Sequence, residues 1–235
     1  SGTTNPVTSN VTSKGFYYYS STENKWVKIA EGTTQEQDLR FVGLNNHITQ
    51  DAGKGGNGTD AGTGDSNIAI GKNSLFSIIA GDDNIAIGRN TLNRNQRGIR
   101  NIALGFGSLN STIDGGSNVA IGFQAMGYNK GSENIAIGEK ALYSNPTSGI
   151  TFRSIAIGHS ALHSGGNGIG IGYYALSANG SADNIGIGTR ALRENTTGQD
   201  NIAMGTDALL RNDIGSNNIA IGKSSLLMST RGIYQ

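Results

Sequence analysis

Asn67-Ile68-Ala69-Ile70-Gly71-Lys72-Asn73-Ser74-Leu75 decides how the rest of the chain is read, because its opening five-residue phrase occurs, with small variations, ten times. The copies begin at Asn67, Asn84, Asn101, Asn118, Asn134, Ser154, Gly168, Asn184, Asn201 and Asn218, in steps of 17, 17, 17, 16, 20, 14, 16, 17 and 17 residues. The long step and the short step that follows it together equal two ordinary steps, so one physical period holds while one turn lengthens and its neighbour shortens. Self-similarity at a fixed period identifies a repeat architecture, in which each unit buries its apolar surface against its neighbours.

A step near 17 residues is too short for a pair of helices, and the phrase itself has strand character. Its β-branched residues sit at alternate positions, so Ile68 and Ile70 point to one side and Ala69 to the other. The glycine that follows, as in Gly71, Gly88 and Gly105, ends the strand and permits a corner. A second short extended segment is expected after it, ending at Leu75, Leu92, Leu109, Met126, Leu142, Leu162, Leu176, Leu192, Leu209 or Leu226. The Asn-, Ser-, Thr- and Gly-rich remainder reads as the return turn. The predicted fold is all-β: a parallel β-roll, or solenoid, of about ten coils with a 14–20 residue repeat. With strands spaced about 4.8 Å apart, its rod is about 45 Å long.

The two faces of the repeated strand carry different bulk. One holds Ile, Val, Leu or Met at both positions, and the other holds only Ala or Gly. The expectation adopted is that the large residues fill a slender interior. The small stripe, Ala69, Ala86, Ala103, Ala120, Ala136, Ala156, Ala203 and Ala220, would then be the oligomer interface, where a second backbone can approach closely. Alternation alone also permits the reverse, with the Ala stripe inside and the Ile stripe at the interface. Asn opens eight of the ten copies and is expected to form a hydrogen-bonded structural ladder along the rod.

The copies resemble the head repeats of trimeric autotransporter adhesins, the YadA-like β-rolls, through Ile-Ala-Ile-Gly-Lys-Asn-Ser-Leu at positions 68–75 and its nine later versions. Similar arrays occur in tail fibres of phages and of contractile injection systems. The resemblance covers roughly 70% of the chain and is carried by ten copies in register. It implies a left-handed β-roll, three chains around one axis, and attachment at a surface. The repeats here are longer than that family's, near 17 residues rather than about 14.

The organisation expected is a tail or cloning scar at 1–14, a hairpin cap region at 15–50, a Gly-rich linker or irregular first turn at 51–66, the repeat domain at 67–229 and a C-terminal tail at 230–235. The hairpin is read from two strand-like runs, Gly15-Phe16-Tyr17-Tyr18-Tyr19 and Lys25-Trp26-Val27-Lys28-Ile29, with a polar loop between. It holds the only Trp and three of the eight Tyr. An end cap for the first coil is the first reading of it, and a carbohydrate-stacking surface the alternative. The 51–65 segment faintly resembles Gly/Asp-rich calcium repeats but lacks their period, so a linker is preferred to a calcium site.

The bulk properties narrow the chemistry. A formal charge of +1, from 18 basic and 17 acidic residues, supplies no concentrated basic face for phosphates, so nucleic acid is not an expected partner. With no cysteine, disulfides and thiolate chemistry are excluded. Three histidines, His47, His159 and His163, suggest no metal site, and no cofactor is expected. No nucleophile elbow or phosphate-binding loop precedes a helix, so the chain is read as a non-enzyme. No stretch is long and apolar enough to insert into a membrane.

One position varies from copy to copy: the residue just after the corner Gly, namely Lys72, Arg89, Phe106, Phe123, Glu139, His159, Tyr173, Thr189, Thr206 and Lys223. If coils stack in register, Phe106 and Phe123 lie about 4.8 Å apart, with His159 and Tyr173 further along the same ridge. These four are the receptor-binding candidates, with a packing ladder as the bland reading. The leading function is a trimeric surface adhesin or fibre-tip head, extracellular, at a cell surface or virion fibre tip, facing a host protein or glycan. The alternatives are a structural spacer in a phage-like or injection-system fibre and, as a minor one, an ice-binding solenoid.

Overall fold

In a computed structural model the described residues are 17–20, 25–28, 66–144 and 151–228. The chain divides into two compact units, Ser1–Leu39 and Arg40–Gln235. In the first, β1 (Tyr17–Ser20) and β2 (Lys25–Lys28) pair antiparallel with Tyr18 opposite Val27, which is the expected hairpin. The 51–65 segment and its calcium alternative lie outside the described residues.

The second unit is a ten-stranded parallel sheet in strict sequence order, the backbone of a β-solenoid. Its strands are β3 (Ile68–Ile70), β4 (Ile85–Ile87), β5 (Ile102–Leu104), β6 (Val119–Ile121), β7 (Ile135–Ile137), β8 (Ile155–Ile157), β9 (Gly168–Ile171), β10 (Asn184–Ile187), β11 (Ile202–Met204) and β12 (Ile219–Ile221). Register is perfect through the irregular region: Ile135 pairs with Ile155, and Ile155 with Ile169, across the 20- and 14-residue steps.

Two expectations need correction. The segment after the corner is not a second strand. It is a run of turns in which every interior Leu, and Met126, takes a positive φ between 46° and 53°. That conformation costs an L-residue about 1–2 kcal/mol. Coil-to-coil hydrogen bonds hold it in place, such as Leu75 N–H to the Thr91 carbonyl and Leu92 N–H to that of Ser108, both 3.0 Å. Two further bends per coil share the positive φ, as at Asn73 and Asp83.

The second correction concerns the stripes. Ala69, Ala86, Ala103, Ala120, Ala136, Ala156, Ala203 and Ala220, expected at an oligomer interface, lie inside their own coil at 2% exposure or less. The interior is filled from the opposite wall by the Leu column, Leu75 to Leu209 with Met126, and by Ala125, Ala141, Ala161, Ala191 and Ala208. A coil this narrow has room for one column of large side chains, and the turn segment supplies it. The strand facing it must therefore be small, and at Gly170 and Gly186 even a methyl would approach Leu162 or Leu176 to 3.0–3.2 Å. The Ile columns consequently face outward.

The Asn ladder forms as expected. Asn101 Nδ2 donates to Asn84 Oδ1 at 3.0 Å and to the Gly115 carbonyl at 2.9 Å, while Asn118 donates both its Nδ2 and its backbone N–H to Asn101 Oδ1. The pattern repeats at Asn84, Asn134, Asn201 and Asn218. It is interrupted where Ser154 and Gly168 replace Asn, although Ser154 N–H still bonds Asn134 Oδ1. A buried amide that satisfies turn groups above and below removes the penalty that unpaired backbone would otherwise carry. The corner glycine is required by close approach: at Gly88, φ is +132° and a Cβ would fall 2.8 Å from the Gly105 carbonyl carbon.

Candidate functional site

Two surfaces of the solenoid have features beyond what the fold requires. The first is the outer face of the sheet. Each strand sets two large apolar side chains on it, and in-register pairing stacks them into two columns, one running from Ile68 to Ile219 and the other from Ile70 to Ile221. At the middle of the rod Ile102, Leu104, Ile135, Ile137 and Ile157 are still 36–38% exposed. With ten strands this is a continuous apolar strip about 43 Å tall. Soluble monomers seldom leave a contiguous apolar surface beyond a few hundred Å² in water.

The second surface is the row of residues after each corner glycine. In-register coils place these side chains one above another, and the four sequence candidates do lie along it. They form two stacked pairs rather than one run. Phe106 and Phe123 are 5.3 Å apart between ring centroids and only 12° from parallel. His159 and Tyr173 are 5.3 Å apart at 29°. Glu139 falls between the pairs, with Oε1 3.8 Å from His159 Nε2. The guanidinium of Arg89 closes the first stack, 4.6 Å from the Phe106 centroid.

The structure adds aromatic residues that the ridge reading missed. Tyr174, the residue after the ridge, sits edge-on to Tyr173 at 4.6 Å, touches His159 at 5.3 Å, and carries Arg193 at 5.4 Å over its ring. Around the next bend, Tyr143 stacks on His163 at 5.3 Å and meets Tyr128 edge-on at 5.0 Å. Tyr143 and His163 directly follow the interior Leu142 and Leu162, so the same period that revealed the ridge marks this second row. Gly127 leaves the space for it, since a Cβ there would lie 2.9 Å from the Tyr143 ring.

Burial shapes the titration here. His163 is held below the usual imidazole range, first by partial burial and then by electrostatic repulsion from nearby Lys140 and His159, while Tyr143 is raised by burial and by its hydrogen bond with Tyr128. His159 Nδ1 is buried with no hydrogen-bond partner among the described residues. Also among the described residues, no group of three or more His, Asp or Glu converges to hold a metal ion. The arrangement offers rings, hydroxyls and a few charges in fixed register along the rod.

A second polar ladder also escaped sequence reading. Asn212 donates to Asn195 Oδ1, and Asn195 to Asn179 Oδ1, each at 2.9 Å. The signal is Leu-x-x-Asn, recurring at Leu176, Leu192 and Leu209. Comparison with known proteins adds no relative: no protein family, no curated protein and no solved structure matches this chain.

Proposed function

We propose that the chain is a non-enzymatic head segment of a surface adhesin or fibre tip that assembles as a homotrimer. In it, three β-rolls bury their Ile faces around a shared axis and carry the aromatic corner row on the rod. The observation that supports this most is the apolar strip left open on an isolated chain. An apolar surface of that extent marks an interaction site, and another copy of the chain supplies a matching strip of the same height. Each face has two Ile columns and each subunit of a ring has two neighbours, so one column can meet each neighbour in a closed threefold arrangement. The resemblance to adhesin head repeats points to the same number of chains, to left-handed winding and to an extracellular setting.

Two measurements test the proposal. Sedimentation reports the number of chains. A binding screen against glycans and extracellular-matrix proteins, repeated with Phe106→Ser and Phe123→Ser together, reports whether the corner row recognises anything. A second reading, a structural spacer in a longer fibre, is favoured by one observation: the ridge rings stack mainly on each other. It predicts that the double variant changes stability and no binding.

A further inference from the structure

Along the corner row the side chains run Arg89, Phe106, Phe123, Glu139, His159, Tyr173. The first stack is closed at one end by the chain itself, because Arg89 covers the outer face of Phe106. At its other end the next side chain in the row is Glu139 of the following coil, not another ring. Phe123 gives one face to Phe106 and turns the other along the rod toward Glu139, and no ring or cation among the described residues covers it. Phe123 remains 46% exposed.

Glu139 is also unlike its counterparts. The other carboxylates in coil-to-coil ion pairs, Asp114, Glu133 and Asp207, each take an arginine from an adjacent coil at 2.8–2.9 Å. Glu139 takes none. It faces only the His159 imidazole at 3.8 Å, and about half of its side-chain surface meets solvent. Lys140, next in sequence, bears on His163 instead. An aromatic face with no ring or cation on it among the described residues is therefore followed by a carboxylate with no arginine, and His159 lies two coils away, about 10 Å from Phe123.

We infer that Phe123 and Glu139, with His159 opposite, form a receiving site for an arginine side chain of a protein partner. A guanidinium is flat enough to lie on the Phe123 face and carries the forked donors a carboxylate takes in pairs. The same rod uses that contact twice on its own behalf, at Arg89 over Phe106 and Arg193 over Tyr174. A sugar fits less well. Rings stacked along the rod show solvent their edges, and the faces on which a pyranose would lie are mostly taken. This inference rests on the corner row being a recognition surface and gives that surface a ligand chemistry.

The test uses the whole chain and saturation-transfer-difference NMR with the peptide Gly-Arg-Gly, with Gly-citrulline-Gly as the uncharged comparator. Binding of the arginine peptide is expected to be weak, on the order of tens of millimolar for one exposed cation–π contact plus one ion pair, and to fade with added salt. The citrulline peptide, and the variants Glu139→Gln and Phe123→Leu, are each expected to lose about two- to fivefold. Glu139 is exposed, so the Gln variant keeps its fold, which circular dichroism checks. Equal binding of the two peptides, or an unchanged affinity in Glu139→Gln, overturns the site. If Gly-Arg-Gly fails to bind while a glycan or matrix protein binds and is lost on Phe106→Ser with Phe123→Ser, the arginine site falls and the recognition surface stands. If no ridge variant alters any binding, both fall.

Discussion

Replacing Ile135 by Glu separates the surface of the chain from the surface of the assembly. Ile135 lies on β7 at mid-height, in register with Val119 and Ile155, and is 38% exposed on the isolated chain. Burying the remaining third of such a side chain is worth about 1 kcal/mol. A carboxylate at the same point in a closed interface adds a desolvation penalty of several kcal/mol. At about 4 kcal/mol per chain, felt three times around the axis of the proposed trimer, the concentration needed for assembly rises by about three orders of magnitude or more. The isolated chain leaves that position in water, so its own coil tolerates the charge. Sedimentation velocity from about 1 to 100 µM, with far-ultraviolet circular dichroism on the same samples, is therefore expected to show a dissociated chain with native β-structure. Ala136→Arg is the control: Ala136 is fully buried inside the coil, where an unpaired charge destroys the β-signal itself. An Ile135→Glu chain that stays assembled, or that loses its β-signal at once, refutes the outward placement of the Ile columns or their use.

Three further outcomes follow from named contacts. Asn118→Ala removes donations to Asn101 Oδ1 and the Gly131 carbonyl and leaves Asn134 N–H without its acceptor, so thermal or chemical denaturation should show a loss of about 2–4 kcal/mol. Gly88→Ala forces a Cβ to 2.8 Å from the Gly105 carbonyl carbon at φ +132° and should cost about 3 kcal/mol or more; a cost below about 1 kcal/mol in the same assay contradicts the tight stacking of corners. His163 binds its proton less readily folded than unfolded, so acidification from the unfolded value near 6.5 down through its lower folded value should reduce stability, and stability should rise as pH increases through that window. Melting temperatures from about pH 7 to pH 5 should fall less in His163→Gln than in the parent. Equal slopes would mean that His163 is not responsible.

The period of the chain made the solenoid, its in-register strands and the Asn ladder readable in advance, because stacking turns a position in the repeat into a column in space. For the same reason the ridge candidates fell on one row, and Phe106 and Phe123 met. Which strand face points inward was not readable from β3–β12 alone, since alternation is symmetric between the two sides. The deciding fact lies in another segment: Leu92, Leu109 and their counterparts enter the coil from the turn wall and leave room only for Ala86 or Ala103 opposite. Those leucines were expected to end an extended segment, and their positive φ runs against their own propensity; coil-to-coil hydrogen bonds and burial override it. Tyr143 and His163 could have been found by reading the position after the interior Leu with the care given to the position after Gly. The company Tyr174 keeps with His159 and Arg193 depends on side-chain direction, which no column rule supplies.

Sedimentation equilibrium on the unmodified chain at micromolar concentration tests the central claim most directly. The proposed trimer, closed over its Ile faces, predicts a single species at three times the 24.4 kDa of one chain. A species at the mass of one chain, stable and monodisperse in water with that face uncovered, would contradict it.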